Sequence, residues 1–281
     1  MTAYKGVFLK MNCRNKILVG FIGAGNMGSA IMKGVASSDE LSEKISLSAF
    51  DTLPEKLEEL RKCGISPVAS AKDIVKTCKY VFLAVKPQVI ETVLEDIAEA
   101  VTEDTVIISI AAGISQDFIR SKTRADAKVV LVMPNTPLLL GEGATALANG
   151  GCSDEEFEVV KEIFALRGII EVVDISKMKE VIAVNSSSPA FIYLFAKGFI
   201  EYGKSVGLGE EASKNLFAKA LIGSAKMITD SGYTIDELIK MVSSPGGTTL
   251  AGLDKLYEGK LEETVKNACE ACTNRAYELS K

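Results

Sequence analysis

The sequence predicts an α/β protein in which a doubly wound, mainly parallel sheet is followed by an all-helical second domain. From Ile17 to Asp174, short β-branched apolar runs alternate with amphipathic helical ones, the pattern of successive βαβ units. The apolar runs are near-continuous, as in strands covered on both faces. After Asp174 the strand-like runs stop and only helical patterns follow. A chain of 281 residues has length for two cores. The expected domains are 11–174 and 175–281.

In chain order, ILVGFI (17–22), ISLSAF (45–50), YVFLAV (80–85), TVIISI (105–110) and KVVLVM (128–133) read as buried parallel strands. GATALA (143–148) and IIEVV (169–173) read as later or edge strands. Helical segments are expected at about 26–37, 54–62, 88–100 and 153–166, covering both faces of the sheet. Beyond Asp174, helices are expected at about 177–206, 210–230, 234–242, 248–257 and 261–279, with Gly207, Gly209 and Gly232 as stops. The apolar face of 189–200 is richer than one small bundle needs, which points to a buried interface between copies of the chain.

Composition narrows the class of function. Hydrophobic residues make up 47% and charged residues 25%, as in ordinary globular proteins. The net charge is −5 and no cluster of five or more Lys or Arg occurs, so nucleic acid is not an expected partner. The apolar stretch PAFIYLFA (189–196) stops at Lys197, short of the ~20 residues that span a bilayer, so no membrane partner is expected either. The N-terminal MTAYKGVFLKMNCRNK lacks the apolar core and cleavage site of a secretory signal, and residues 1–10 read as a loose extension before a second candidate start at Met11. Cys13, Cys63, Cys78, Cys152, Cys269 and Cys272 are irregularly spaced, which fits reduced thiols in a cytoplasmic protein. Cys269 and Cys272 fall three apart on a predicted helix, and with no histidine in the chain they are too few for a tetrahedral zinc site; no metal is expected. The absence of histidine also removes the commonest acid-base side chain.

Gly23-Ala24-Gly25-Asn26-Met27-Gly28 matches G-x-G-x-x-G, directly follows a predicted strand and opens a helix, the context of a Rossmann-type dinucleotide site. The first glycine permits the tight turn, the second lets a pyrophosphate approach the backbone, and the third lets helix and strand pack closely. Free N–H groups at the helix start then receive the phosphate. Asp51 follows the second strand, where a carboxylate can accept from an adenosine ribose, or serve as a helix N-terminal charge before PEKLEEL. The next residues, Thr52, Leu53 and Pro54, include no arginine for a 2′-phosphate. That leans toward NADH, and the choice between NADH and NADPH stays open. Strand ends at Ala84-Val85-Lys86-Pro87 and at Pro134-Asn135-Thr136-Pro137 lie where a doubly wound sheet places a nicotinamide, so Ala84, Val85, Lys86, Pro87 and Asn135 are candidate cofactor contacts.

In the helical part, SSPGGTT (243–249) offers a Pro-Gly-Gly turn leading into the helix TLAGLDKL, whose exposed N–H groups and positive end suit a carboxylate. A plain helix-to-helix turn needs one Ser or Thr and one Gly, fewer than are present.

FIGAGNMG, AVKP, MPNTP, Ser188-Pro189-Ala190-Phe191 and SSPGGTT together resemble pyrroline-5-carboxylate reductase, over a stretch from about Lys16 to the C-terminus. The resemblance implies a Rossmann domain, a helical domain that dimerises and assembles into a higher homo-oligomer, and NADPH- or NADH-dependent reduction of a cyclic imine to L-proline. It also implies that Ser244, Gly247 and Thr248 hold the substrate carboxylate and that Thr249 hydrogen-bonds the ring nitrogen, the catalytic contact. Where many members of that family have Ser-Gly-Ser-Gly-Pro-Ala, this chain has Asn185-Ser186-Ser187-Ser188-Pro189-Ala190, so serines 186 and 188 replace glycines and are expected to narrow the pocket or shift a helix.

A cyclic imine takes its proton from solvent, so no strong protein acid is needed and the protein's part is orientation, with the substrate straddling the two domains. The rivals are another NAD(P)-dependent imine or hydroxyacid reductase, and a nucleotide-binding protein without catalysis. Hydroxyacid reductases place a lysine or aspartate in the long interdomain helix; Asn185 and serines stand there in this chain.

Overall fold

The computed structural model describes residues 16–280; the expectations for residues 1–10, Met11 and Cys13 lie outside them. The Rossmann part runs β1 (Ile17–Ile22), α1 (Asn26–Ala36), α2 (Asp39–Lys44), β2 (Ile45–Phe50), α3 (Pro54–Arg61), β3 (Ser66–Pro67), α4 (Ala71–Thr77), β4 (Tyr80–Leu83), α5 (Ile90–Ile97), β5 (Val106–Ser109), α6 (Gln116–Lys122), β6 (Lys128–Pro134), β7 (Gly143–Gly150), α7 (Asp154–Ala165) and β8 (Gly168–Val172). Then come α8 (Met178–Val181), α9 (Ser188–Ser205), α10 (Glu210–Asp230), α11 (Ile235–Met241), α12 (Thr248–Glu258) and α13 (Leu261–Leu279).

The sheet order is β3-β2-β1-β4-β5-β6-β7-β8. Every neighbouring pair is parallel except β6 and β7. That exception follows from chain length: residues 135–142 are too few for a crossover, which takes a dozen or more. Side chains alternate between two cores. Phe21, Phe82, Ile108 and Val130 enter one, and Ile22, Val81, Leu83, Ile107 and Val129 enter the other. Both faces of the central strands are therefore dry, which is why those strands read as near-continuous apolar runs, whereas β3 and most of β8 at the edges are exposed. Phe21 and Phe82 stack at 4.2 Å between centroids, across the β1–β4 pair on which the ligand crevice depends.

The structure corrects several expected boundaries. The strand YVFLAV ends at Leu83, so Ala84 and Val85 lie beyond it and lead to the Pro87–Val89 3₁₀ turn. The expected helix at 88–100 is α5 flanked by 3₁₀ turns at Pro87–Val89 and Ala98–Ala100. The expected continuous helix at 177–206 is a 3₁₀ turn (Ile175–Lys177), α8, a π-helical turn (Ile182–Ser187) and α9.

The chain forms two compact units. The first extends through Ser187 and includes the residues from Cys272 onward; the second is Ser188–Ala271. In the first unit the end of α13 packs on α8: the Tyr277 hydroxyl donates to Glu180 Oε1 at 3.1 Å, and Lys179 Nζ sits 4.4 Å above the Tyr277 ring and donates to Ser280 Oγ at 3.0 Å. In the second unit, Phe199 stacks on Phe217 at 4.3 Å and meets Phe195 edge-on at 5.1 Å, joining α9 to α10.

At the N-terminal edge of the sheet, Glu156 ties three elements. Its side chain is 8% exposed and accepts from Lys79 and Lys128, both at 2.9 Å, and from the Ser153 amide at 3.1 Å within the capping box of α7. Burial alone would raise this carboxyl, but the bonds from Lys128, Lys79 and Ser153 outweigh it and bring the pKa down to about 2. A carboxyl lowered in the folded state stabilises fully above its ordinary value of 4.5, and that stability is lost as pH falls toward about 2. Glu156→Gln is therefore expected to lower the unfolding free energy at neutral pH by roughly 1–3 kcal/mol. Urea titrations at a series of pH values should show the gap between the two proteins closing below about pH 4.5; a gap independent of pH would contradict this account.

Candidate active site

The strand order reverses between β1 and β4, so the connections leaving their C-terminal ends go to opposite sides and open a crevice. Gly23 turns at its lip with φ 104°, and a Cβ there would lie 2.5 Å from the Ala84 carbonyl oxygen. Gly28 is buried on the same spot: its Cβ would be 2.8 Å from the Gly23 oxygen. Both glycines are demanded by backbone packing. Gly25 is different, because a Cβ there meets nothing within 4 Å. It is the N-cap of α1 and offers no side-chain cap, which leaves the first amides of that helix without partners inside it. An open glycine beside uncapped amides at a helix start is a cradle for a phosphate. Asn26 is exposed there, whereas the Met27 side chain packs on the core, its backbone N–H lying in the first turn of α1.

Asp51 is held against the same loop. Its Oδ2 accepts from the Ala24 amide at 2.7 Å and its Oδ1 from the Leu53 amide at 3.0 Å. Lys56 Nζ lies 3.5 Å from Oδ2. Leu53, not Asp51, is the N-cap of α3, so the carboxylate braces the β1 and β2 loops instead of capping the helix.

On the other side of the crevice, the Ala84 amide donates to Ile22 O at 2.9 Å, the Val85 side chain packs on the core, and Lys86 is exposed ahead of Pro87. Asn135 Oδ1 accepts from the Ala144 amide at 3.0 Å, fixing the turn after β6 to the start of β7. The structure also sets Asn185 and Ser186, which the sequence singled out without their contacts, against this turn. Asn185 Nδ2 donates to Met133 O at 2.8 Å and to Ala144 O at 3.0 Å, and Ser186 Oγ donates to Pro134 O at 3.1 Å. The π-helical turn thus clasps the MPNTP segment, and the Ser186 hydroxyl is bonded to a strand-end carbonyl.

The second unit carries the SSPGGTT loop between α11 and α12. Gly246 has φ 69°, and the Gly247 amide donates to Ser244 O at 2.9 Å. A Cβ at Gly247 would lie 2.5 Å from Ser244 Oγ, so the glycine makes room for that hydroxyl. Gly247 is also the N-cap of α12, with no side-chain cap, leaving the amides of Thr248, Thr249 and Leu250 unpaired within the helix. Ser244, Thr248 and Thr249 are exposed. Hydroxyls and free amides at the positive end of an 11-residue helix are the groups that suit a small carboxylate.

Residues 176–279 match the family described as pyrroline-5-carboxylate reductase dimerisation, and residues 18–113 match NADP oxidoreductase, coenzyme F420-dependent. The chain is 33% identical over 269 residues to pyrroline-5-carboxylate reductase 3 of Xenopus laevis, covering 95% of this chain and 98% of that protein. It is similar to a solved pyrroline-5-carboxylate reductase from Coxiella burnetii, with TM-score 0.87 and 29% identity over 95% of this chain and 100% of that one. It is also similar to Plasmodium falciparum pyrroline carboxylate reductase, solved with NADP bound, with TM-score 0.84 and 29% identity over 95% and 100% of the two chains.

The contrast among the three glycines yields a test. Gly25→Ala is expected to leave the thermal midpoint nearly unchanged while weakening dinucleotide binding tenfold or more. Gly23→Ala is expected to destabilise the protein by about 1–3 kcal/mol. Calorimetric titration and thermal melts of both variants would check this, and unimpaired nucleotide binding by Gly25→Ala would contradict the assignment of the cradle.

Proposed function

The chain belongs to the pyrroline-5-carboxylate reductase family, and on that premise we propose how its residues reduce L-1-pyrroline-5-carboxylate to L-proline with NADPH or NADH, the final step of proline biosynthesis. The observation that carries the residue assignments is the uncapped start of α12 behind the Pro245-Gly246-Gly247 turn. Ser244 and the amides after Gly247 take the substrate carboxylate, with Thr248 closing the receptor. The Thr249 hydroxyl accepts from the protonated ring nitrogen and so fixes which carbon is presented for reduction. The Gly23–Gly28 loop and the start of α1 take the pyrophosphate, and Asn26, Asp51, Ala84 to Pro87 and Asn135 line the remainder of the nucleotide site. A bound dihydronicotinamide supplies the hydride.

The imine arrives already protonated, so the chain's work is orientation, and a chain without histidine loses nothing by this. Holding reactants in a near-attack geometry is worth ~7–11 kcal/mol in well-oriented systems. The positive end of α12 also lowers the energy of the bound carboxylate, which anchors the ring without taking part in bond making. Tyr193, Leu194 and Tyr202 on α9 and Leu216 and Ile222 on α10 are exposed on the isolated chain, within the stretch matched to the dimerisation family. These faces support a homodimer that assembles further. Among the described residues no helix is long and apolar enough to cross a membrane, and irregularly spaced cysteines suit a cytoplasmic setting.

The activity is tested by following nicotinamide absorbance on mixing the purified protein with L-1-pyrroline-5-carboxylate; proline must appear in step with nucleotide oxidation. Thr249→Ala removes one hydrogen bond to a charged group, worth about 1.5–3 kcal/mol. It should lower kcat/KM by roughly ten- to a hundredfold with an unchanged melting curve, because Thr249 is exposed. Wild-type turnover in that variant would remove Thr249 from the mechanism.

A further inference from the structure

We propose that Asp51 makes NADH the preferred nucleotide of this enzyme, its carboxylate accepting a hydrogen bond from the 2′-hydroxyl of the adenosine ribose. The inference rests on the nucleotide site described above and adds to it which dinucleotide the site selects.

The argument begins with how firmly the carboxylate is fixed. Asp51 follows the last residue of β2, and the preceding carbonyl, Phe50 O, accepts from the Gly23 amide at 2.8 Å. Both carboxylate oxygens are engaged by backbone amides, Oδ2 by Ala24 at 2.7 Å and Oδ1 by Leu53 at 3.0 Å, and the side chain is 10% exposed. A carboxylate oxygen has two lone pairs; Oδ2 faces the Lys56 ammonium at 3.5 Å as well as the Ala24 amide, while Oδ1 has the Leu53 amide and keeps a place for a second donor. A ribose hydroxyl donates there without disturbing either amide. A 2′-phosphate brings only acceptors and a charge of about −1.5 to −2, and it meets an anion that cannot swing away without breaking two loop contacts. Like charges at such a distance, partly withdrawn from water, repel strongly.

Two of the neighbouring cations are already engaged by carboxylates. A hollow of about 400 Å³ beside the loop is lined by Ala24, Asn26, Ser29, Lys33, Lys56 and Arg167, among others. Lys33 is paired with Glu59 at 2.7 Å, and Lys56 is within 3.5 Å of Asp51 itself. Arg167 turns its Nε into the packing against α1, 2.5 Å from where a Cβ on Gly34 would lie. Residues 52–54, Thr-Leu-Pro, add no positive charge. A phosphate would have to draw Lys56 off Asp51 and leave that carboxylate more exposed to its own charge.

The test is equilibrium binding of NADH and NADPH to the full chain, followed by nicotinamide fluorescence, in the wild type, Asp51→Asn and Asp51→Ser. The wild type is expected to bind NADH at least tenfold more tightly than NADPH. Both variants are expected to lose most of that ratio, chiefly through tighter NADPH binding. A second measurement needs no variant: 5′-AMP should displace bound NADH from the wild type at lower concentration than 2′,5′-ADP. Wild-type binding of NADPH equal to or tighter than NADH, better displacement by 2′,5′-ADP, or an unchanged ratio in the folded variants would each overturn the inference while leaving the nucleotide site intact. Binding of neither nucleotide would instead bring down the reading of the site as a whole, and this inference with it.

Discussion

The approach of Gly23 to the Ala84 carbonyl is the contact on which the nucleotide end of this protein depends. β1 and β4 are hydrogen-bonded neighbours whose continuations part, and the two loops separate only after passing so closely that no side chain fits. Gly28 then rests on the Gly23 carbonyl, which sets how near α1 begins to the end of β1. With the loop so drawn in, the Ala24 amide points at Asp51 and the open side of Gly25 is left toward the crevice. The three glycines of one short motif thus divide their work: two are consumed by packing and one stands open.

Stability and chemistry are placed at opposite ends of the strands. Near the N-terminal edge, Glu156 gathers Lys79, which immediately precedes β4, and Lys128, the first residue of β6, with the start of α7. At the C-terminal edge the backbone is irregular: a glycine turn with positive φ, a 3₁₀ turn after β4, another after β6, and the π-helical turn that holds Met133 and Pro134 by their carbonyls. Irregular backbone exposes amides and carbonyls that regular ladders would consume, which is what a polar ligand needs. In the helical unit the same logic is confined to one loop, where SSPGGTT leaves the first turn of α12 uncapped.

Much of this was legible in the sequence, and the reasons differ by element. The strand 17–22 coincides with β1 because its last four residues are buried and leave a near-continuous apolar run, while 45–50 coincides with β2, where buried Ile45, Leu47 and Ala49 alternate with half-buried positions, the period of a strand. The fingerprint and SSPGGTT were legible because glycine, proline and hydroxyl residues at fixed spacing answer to backbone geometry more than to packing. The polar helix DELSEK (α2) and the two-residue β3 were not, since neither carries enough apolar periodicity to stand out. The π-helical turn was illegible for another reason. Residues 182–187 have an ordinary helical pattern, and the widening is associated with Asn185 and Ser186 bonding to carbonyls some fifty residues earlier in the chain. Asp51 was readable as a candidate, but its restraint by Ala24 and Leu53 required coordinates.

The return of α13 to the first unit has a consequence for how the protein is made. Topologically, residues 188–271 are an insertion between two parts of one unit. N-terminal domains ordinarily finish folding while the rest of the chain is still being synthesised. Here α8 receives the Tyr277 hydroxyl, and Lys179 its partner Ser280, from residues translated after the inserted helical segment. The nucleotide-binding unit can collapse early around its sheet, yet its closing contacts wait until the whole helical segment has left the ribosome. Birth order and structural order thus run in opposite directions in this chain, and a premature stop anywhere in the helices would leave a sheet already formed but one flank uncovered.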